Sequence, residues 1–287
     1  MSRIAYVNGQ YVPHADAAIH IEDRGFQFAD GVYEVCEVRA GLIIDLTRHL
    51  DRLDRSLGEL RMRSPMGREA LKIVIREVLR RNRVRNGIFY LQVTRGVARR
   101  DHFFPVEVTA PTITITAKSV DPAPTLKKYE AGIKVITVPE NRWNRVDIKT
   151  VGLLPNVLVK QQAREAGAQD AVYVDPEGKV TEAASSNVWI VDQDGKLVTR
   201  HAENGILRGV TRTTLLDVAS HLGLAFEERG FTVAEMLSAR EVFLTSATGS
   251  CTPIVEIDGK PVANGHPGSV SAALRASFLD VAEKTTI

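Results

Sequence analysis

The sequence predicts an α+β fold, because strand hairpins outnumber strand–helix–strand units along the chain. Asn8-Gly9 lies between two short apolar runs, which is a strong signal for a β-hairpin. Three further strands follow one another and are joined by short turns. The strands span 170–175, 187–192 and 196–200. Successive strands joined in this way favour antiparallel sheets over a doubly wound parallel sheet.

A break in the pattern divides the chain into two mixed domains. Pro122 and Pro124 stand on either side of a single alanine, between a predicted strand and the segments that follow. Proline pairs of this kind interrupt regular structure and are typical of linkers. We therefore predict a small N-terminal domain at 1–120 and a larger C-terminal domain at 121–287, which includes Lys149.

The N-terminal half combines strands with two helices. Residues 31–44 alternate apolar and polar side chains and turn at Ala40-Gly41. Five leucines are then spaced by four, three, four and three residues, the stripe of an amphipathic helix: Leu46, Leu50, Leu53, Leu57 and Leu60. A second helix is predicted at 67–83, and two strands at 87–96 and 112–119.

The C-terminal half alternates between helices and strand pairs. Pro155 suits the first turn of a helix that ends near Gly167. The segment Thr-Val-Ala-Glu that begins at Thr232 fits a capping box. The remaining predicted elements are a strand at 132–140, a helix from near Thr211 to Gly223, and two strands around a small polar loop within 241–262.

Composition excludes several classes of protein. The 287 residues are 44% hydrophobic and 25% charged, with a formal net charge of +2. These values match a soluble globular chain and argue against a nucleic-acid-binding or polybasic membrane surface. Histidines are scattered without metal-ligand spacing, so no metal site is expected. Cys36 and Cys251 could form a disulfide, but two thiols in a chain of this size favour a reduced cytoplasmic protein.

Two charged residues lie beside unusual neighbours. Lys149 enters the apolar run Thr-Val-Gly-Leu-Leu, where desolvation would lower its pKa and free the amine for Schiff-base chemistry. The alternative is a lysine that reaches solvent from a strand end. Glu182 precedes four small residues, 183–186, and could hold a protonated ring nitrogen. The alternative is an exposed acidic residue at a turn, and each residue alone favours the simpler interpretation.

Two loops and one arginine suit a phosphate group. Gly209, Val210 and Thr211 begin a helix, where free N–H groups attract anions. The segment 245–250 adds hydroxyls and small residues at a strand end. Arg52 lies beside the leucine stripe and nearer to the buried face than the other arginines of its helix. Ordinary helix caps, hairpin turns and a solvated arginine are the alternatives.

A basic segment follows the strand at 87–96. Arg100 and His102 alternate, so in an extended chain they point the same way and could bind a carboxylate together. The alternative is a basic loop over Phe103 and Phe104, and the pattern favours neither interpretation.

Taken in order, these segments resemble the fold-type IV pyridoxal-phosphate (PLP) enzymes, and most closely the D-amino-acid aminotransferases. The resemblance covers nearly the whole chain at matching spacing. It is carried by YVNGQYV, EDRGFQFADGVYEV, HLDRLDRSL, TRGVARRDHFFP, DIKTVGLLPNVLVKQQA, VTEAASSNVWIV, NGILRGVTR and EVFLTSATGSCTPIVEIDG.

The resemblance implies a PLP site. By it, Lys149 would hold PLP as a Schiff base, Glu182 would pair with the protonated ring nitrogen, and Arg52 would bind the phosphate. Leu207 would pack against the ring. Further phosphate contacts are implied for Gly209, Val210, Thr211, Ala247 and Thr248. Some relatives have a threonine where Ala247 stands, a departure that concerns the hydroxyl contact rather than the loop.

The substrate side separates the subfamilies. Tyr33 stands where branched-chain aminotransferases usually have phenylalanine, and Leu154 where they have tyrosine. Arg100-Asp101-His102 matches the Arg-x-His carboxylate trap of the D-amino-acid enzymes, which Tyr33 would complete. In the family this trap is reached across a dimer interface, so the resemblance implies a homodimer.

The implied reaction is transamination between a D-amino acid, D-alanine first, and a 2-oxo acid such as 2-oxoglutarate. An (R)-selective amine transaminase, a branched-chain aminotransferase and an aminodeoxychorismate lyase remain as alternatives on the same scaffold. Arg100 and His102 count against the first, and Tyr33 and Leu154 against the second. A dimeric binding protein without catalysis is a further alternative, and it predicts no cofactor absorbance.

Overall fold

The computed structural model describes residues 3–106, 109–202 and 205–287, which fold as mixed helix and sheet and confirm the α+β class. They divide into two compact units. Unit 1 comprises Met1–Asp121, Ile148–Gly152 and Glu283–Ile287, and unit 2 comprises Pro122–Asp147 and Leu153–Ala282. The division differs from the two consecutive segments expected at 1–120 and 121–287, and it assigns Lys149 to unit 1. The reason is that the segment around Lys149 pairs with a strand of that unit.

Unit 1 is built on an antiparallel sheet. Its strands are β1 (Ile4–Val7), β2 (Gln10–Pro13), β3 (Gly31–Arg39), β4 (Leu42–Ile44), β5 (Gly87–Thr94), β6 (Thr112–Ser119) and β16 (Lys284–Thr286). They lie in the order β16-β4-β3-β5-β6-β1-β2, and each neighbouring pair is antiparallel. The helices of this unit are α1 (Arg24–Phe28), α2 (Leu46–Glu59) and α3 (Arg68–Arg81).

The core of unit 1 follows from the two periodicities in the sequence. Alternate residues of β3 are buried, and four of the five leucines of the predicted stripe lie on the inner face of α2. The inner faces of α2 and α3 share one hydrophobic cluster with β3, β5 and β6. Glu34 occupies a buried position of β3 between Val32 and Cys36, which places a carboxylate inside this core.

Unit 2 is built on a mixed sheet. Its strands are β7 (Ile133–Pro139), β8 (Asp170–Val174), β9 (Val180–Ala183), β10 (Asn187–Val191), β11 (Leu197–Thr199), β12 (Phe226–Glu228), β13 (Glu241–Ser246), β14 (Gly249–Ile257) and β15 (Lys260–Pro261). The order is β12-β11-β10-β13-β14-β7-β8-β9, with β15 paired to β14. Parallel pairs join β7 to both β8 and β14, and β11 to β12; the other pairs are antiparallel.

Five helices pack with this sheet: α4 (Ala123–Ala131), α5 (Leu154–Glu165), α6 (Val210–His221), α7 (Val233–Ser238) and α8 (Ser269–Val281). The expected starts and ends of α5 and α6 agree with the structure to within about two residues. Thr232 and Glu235 form both bonds of the predicted capping box. The segment around Pro122 and Pro124 differs from the expected linker, because a helix begins directly after Pro122 and includes Pro124 in its first turn.

Neither thiol forms a disulfide. Cys36 lies buried in unit 1 and Cys251 lies buried in unit 2, and both are free. Burial raises the pKa of each thiol above its usual range. Across the described ranges, none of the helices has the length and apolarity to span a bilayer.

A carboxylate caps the last helix. Glu241 accepts hydrogen bonds from the backbone N–H groups of Val270 at 2.8 Å and Ser271 at 2.9 Å. The carboxylate thereby satisfies two N–H groups that would otherwise lack partners at the start of α8. A Cβ atom at Gly268 would lie 1.9 Å from the Glu241 Cδ atom, so this approach requires glycine.

Gly268→Ala is expected to lower the free energy of unfolding by about 1–3 kcal/mol, because the new methyl group displaces Glu241 from α8. Gly58→Ala is the matched control, since Gly58 lies within α2 and a Cβ there meets no atom within 4 Å. It is expected to raise the free energy of unfolding by about 0.5–1 kcal/mol. Urea denaturation measures both values, and a Gly268→Ala chain as stable as wild type would contradict the packing argument.

Candidate active site

The position of Lys149 is set by backbone pairing with β3. The Tyr33 N–H donates to the Lys149 carbonyl at 3.0 Å, and the Val151 N–H donates to the Gly31 carbonyl at 3.1 Å. The Lys149 N–H in turn donates to the Ser56 hydroxyl of α2 at 3.4 Å. The side chain is half-buried, and its Nζ lies 4.2 Å from the centroid of the Tyr33 ring. The structure thus brings together two residues that the sequence assigned to one site.

Arg52 belongs to a buried ionic network in the same unit. Its Nε donates to Glu34 Oε1 at 2.8 Å and its Nη2 donates to Glu34 Oε2 at 2.7 Å, a bidentate pair. His49, one helical turn earlier on α2, lies with Nδ1 2.7 Å from Glu34 Oε2. Arg52 and Ser56 are four residues apart and so lie on the same face of α2. Arg52 is therefore held by a fixed carboxylate rather than left to vary among rotamers.

The charges of this network follow from its burial. Burial raises the pKa of Glu34, but the charge and hydrogen bonds of Arg52 and His49 outweigh it, so the pKa falls to about 2. Burial lowers the pKa of His49, and the bond to Glu34 compensates only in part. Glu34 is therefore ionised at neutral pH and accepts from its two neighbours.

Arg100 and His102 lie in a loop and share one aromatic neighbour. The Arg100 guanidinium is 5.0 Å from the Phe28 ring centroid, and the His102 ring is 5.5 Å from the same ring. Both side chains are exposed. Arg24 is buried and stabilises the loop, because its Nη1 donates to the Asp101 carbonyl at 2.6 Å. The structure brings the two proposed carboxylate ligands together, although through Phe28 rather than through strand alternation.

Glu182 is a buried carboxylate at the β9 edge of unit 2. Its Oε1 accepts from Arg142 Nη1 at 2.5 Å, and the two side chains are only 7% and 6% exposed. Its Oε2 accepts from the Leu207 N–H at 3.3 Å and from Asn187 Nδ2 at 3.5 Å. An exposed acidic residue at a turn is excluded by this burial.

The start of α6 lies next to Glu182 because the Asn187 side chain hydrogen-bonds both Glu182 and the segment that leads into α6. Asn187 Nδ2 donates to the Leu207 carbonyl at 3.0 Å, which fixes the residues that lead into α6. A Cβ atom at Gly209 would lie 2.0 Å from Asn187 Oδ1, so Gly209 allows the close approach. Val210 and Thr211 are the first two residues of the helix, and the N–H groups and dipole at a helix start attract anions.

The second loop that the sequence assigned to a phosphate lies beside the same helix end. Ala247 and Thr248 form the turn between β13 and β14, and Ala247 is half-buried while Thr248 is exposed. The Thr211 hydroxyl donates to the Ser246 carbonyl at 3.0 Å, which ties the turn to α6. Asn204, the first residue of the segment that leads to α6, lies outside the described residues.

The candidate residues fall into two groups, one in each unit. Unit 1 has a lysine amine, an aromatic ring, a half-buried arginine and the loop with Arg100 and His102. Unit 2 has a buried carboxylate beside a helix start. The unit 2 group suits a ligand that carries both a protonated ring nitrogen and a phosphate, and the lysine of unit 1 suits an aldehyde. The residues of each unit therefore fit the parts of PLP that the sequence assigned to them.

Sequence inspection missed several residues that support these side chains: Phe28, Glu34, His49, Glu140, Arg142 and Asn187. Glu34 carries a visible signal, because it occupies the inward phase of an alternating strand, where a charge needs a partner. Glu140 directly follows β7 and Arg142 lies two residues further on, where the carboxyl end of β7 lies beside that of the parallel strand β8. Asn187 and Phe28 carry no comparable signal, because their roles depend on contacts with distant segments.

Known proteins resemble this chain over most of its length. A family model described as amino-transferase class IV matches residues 31–257. The D-alanine aminotransferase of Bacillus licheniformis is 38% identical, over 97% of this chain and 98% of the relative. The D-alanine aminotransferase of Staphylococcus haemolyticus is 39% identical, over 95% of each chain.

Solved structures share the fold. The T.th. branched-chain amino acid aminotransferase with pyridoxamine 5'-phosphate has a TM-score of 0.89 at 26% identity, covering 98% of this chain and 94% of that one. The Escherichia coli branched-chain enzyme has a TM-score of 0.90 at 23% identity, covering 98% and 95%. At that identity the second comparison establishes the fold alone.

The buried Glu34 predicts a specific pH dependence of stability. Its pKa of about 2 in the folded chain lies below the ordinary 4.5, so its stabilising effect is complete above pH 4.5 and is lost as the pH falls towards 2. Glu34→Gln is expected to lower the free energy of unfolding by about 3 kcal/mol near neutral pH. The difference in the free energy of unfolding between wild type and Glu34→Gln should disappear as the pH falls from about 4.5 to about 2.

Denaturant unfolding across this pH range measures the gap. Glu69→Gln is the control, because Glu69 makes the same kind of charge pair with Lys72 on the exposed surface of α3. A Glu34→Gln gap that stays constant down to the lowest pH would refute the assigned charge state.

Proposed function

Because the chain belongs to the amino-transferase class IV family, we propose that it is a PLP-dependent D-amino-acid aminotransferase. It exchanges the amino group between a D-amino acid, D-alanine first, and a 2-oxo acid such as 2-oxoglutarate. Two relatives that match nearly the full length are named D-alanine aminotransferase. One structural observation carries the proposal. The Leu207 segment joins the buried Glu182 carboxylate to the start of α6, and this arrangement supports a ligand that carries a protonated ring nitrogen and a phosphate.

Each unit has residues that suit one part of the cofactor. PLP supplies an electron-withdrawing ring that accepts the electron pair released at the substrate Cα. Glu182 would hold the proton on the ring nitrogen, and Leu207 would pack against the ring. Arg52 would bind the phosphate with its guanidinium, which Glu34 keeps in one orientation. The remaining phosphate contacts would come from Gly209, Val210, Thr211, Ala247 and Thr248.

Lys149 has two tasks. Its amine would hold the cofactor aldehyde, and once the substrate amine has replaced it, the amine would act as general base and then general acid for the proton at the substrate Cα. The contact between Nζ and the Tyr33 ring orients the amine.

The substrate carboxylate determines stereochemistry. Arg100 donates charge-assisted hydrogen bonds to it, and His102 and Tyr33 complete the site. Anchoring the α-carboxylate fixes which face of Cα is presented to Lys149. A D-amino acid anchored in this way directs its Cα–H towards the amine, whereas its L enantiomer directs that bond elsewhere.

The loop with Arg100 and His102 serves a second copy of the chain. Phe26 is 76% exposed and Phe103 is 82% exposed, and both lie within two residues of the Phe28 and His102 pair. Aromatic side chains exposed to this degree are typical of a surface that another protein covers. We therefore propose a homodimer in which each chain supplies Arg100 and His102 to its partner. A cytoplasmic location accords with the two free thiols.

The same scaffold supports three other activities, and they differ in the substrate that the enzyme accepts. An (R)-selective amine transaminase acts on amines that lack a carboxylate, so it does not need Arg100 and His102 to bind one. A branched-chain aminotransferase shares the fold, but Tyr33 and Leu154 stand where those enzymes have phenylalanine and tyrosine. Aminodeoxychorismate lyase uses the same cofactor residues, and assaying that substrate distinguishes it.

Reduction with borohydride should fix PLP to Lys149. Mass mapping of the reduced wild-type protein is expected to find the cofactor on the peptide that contains Lys149. Lys149→Ala should lose the adduct, whereas Lys160→Ala should retain it, because Lys160 pairs with Asp170 in unit 2. Covalent cofactor in the Lys149→Ala protein would contradict the assignment.

Arg100→Ala should discriminate between substrates with and without a carboxylate. We expect kcat/KM for D-alanine to fall about 100-fold, since a charged hydrogen-bond partner is worth about 3 kcal/mol. Turnover of (R)-1-phenylethylamine, which has no carboxylate, should be unchanged or higher. Arg99→Ala removes the neighbouring charge and serves as the control. Equal losses on both substrates would count against the carboxylate trap.

A further inference from the structure

Arg142 lies between two carboxylates in unit 2. Its Nη1 donates to Glu182 Oε1 at 2.5 Å, while its Nε and Nη2 donate to the two oxygens of Glu140 at 2.8 Å and 2.5 Å. The Thr181 hydroxyl donates to Glu140 Oε2 at 2.8 Å, and the guanidinium lies 4.2 Å from the Tyr173 ring centroid. These contacts together hold the Arg142 guanidinium in one orientation.

The ionisation of the cluster follows from these contacts. Burial opposes the charge of Arg142, but its two carboxylates outweigh burial and raise its pKa above the usual range. Burial likewise raises the pKa of Glu140, but the bonds to Arg142 and Thr181 lower it overall. Glu140 and Arg142 are thus both charged at neutral pH.

The cluster of Glu140, Arg142 and Glu182 then carries two negative charges and one positive charge when Glu182 is ionised. A buried net charge is costly unless an opposite charge compensates it. A cationic ring N–H beside Glu182 would bring the sum to zero. If Glu140 were neutral, the same ring proton would leave one uncompensated positive charge in a largely buried site.

We propose that Glu140 is a positioning residue that sets how strongly Glu182 holds the ring-nitrogen proton of PLP. It acts through Arg142, because the guanidinium divides its charge between two carboxylates and so leaves Glu182 electron-rich. The inference rests on the proposed function, in which Glu182 meets the ring nitrogen. It adds a residue that does not touch the cofactor and that acts by charge.

The test compares two ligands that differ only at the ring nitrogen. The full-length protein, freed of its own cofactor, is offered equal amounts of PLP and of its deaza analogue, which has C–H in place of the ring nitrogen. Mass spectrometry of the bound fraction gives the preference for PLP. Both ligands share the phosphate and the aldehyde, so the ratio isolates the ring-nitrogen contact and requires no turnover.

Glu140→Gln keeps the size of the side chain and removes its charge, so it should lower the preference for PLP about tenfold, the equivalent of one pKa unit. Glu140→Asp retains the charge and should keep the preference within about twofold of wild type. Glu177→Gln is the matched control, because it makes the same chemical change in an exposed pair with Lys179 and should have no effect.

A wild-type ratio in Glu140→Gln would overturn the inference. So would equal losses in Glu140→Gln and Glu140→Asp, because they would assign the effect to contact geometry rather than to charge. A wild-type protein that fails to bind either ligand would instead refute the proposed function. The two failures are therefore distinguishable in one experiment.

Discussion

A short stretch of backbone pairing between residues 148–152 and the start of β3 determines where Lys149 lies. Two hydrogen bonds, from the N–H groups of Tyr33 and Val151, flank an isolated bridge between Val32 and Thr150. The segment interrupts the chain of unit 2 and belongs to unit 1. Its pairing holds the backbone of the lysine against the start of β3. The placement of the amine over the Tyr33 ring follows from this register.

Each unit has a carboxylate–guanidinium pair, but a different member of the pair is proposed to contact the cofactor. In unit 1, Glu34 orients Arg52, and the arginine is proposed to bind the phosphate. In unit 2, Arg142 orients Glu182, and the carboxylate is proposed to bind the ring nitrogen. Buried pairs are expensive to desolvate and rarely improve stability by themselves. Their value here is orientation, because each arginine makes one bidentate contact, Arg52 with Glu34 and Arg142 with Glu140, and such contacts allow few rotamers.

Parts of the site could be predicted because they depend on local patterns. The leucine stripe of α2 placed Arg52 beside the buried face, and Pro155 marked the start of α5. Lys149 and Glu182 had no local signal strong enough to exceed the simpler interpretation, and only the order of segments along the chain suggested their roles. The unit to which Lys149 belongs could not be predicted, since it depends on pairing with residues more than a hundred positions away. No element was expected after residue 262, where α8 forms with Glu241 as a distant cap.

The proposed function requires the chain to remove the amino group of D-amino acids through a cofactor bound at Lys149. The most direct test is the first half-reaction in a stopped-flow spectrophotometer, in which the visible absorbance of the bound cofactor is followed after addition of D-alanine or L-alanine without a 2-oxo acid. D-alanine is expected to bleach the band in a single turnover, and L-alanine is expected to leave it unchanged. Bleaching by L-alanine at the same rate, or a band that D-alanine does not alter, would contradict the proposed function.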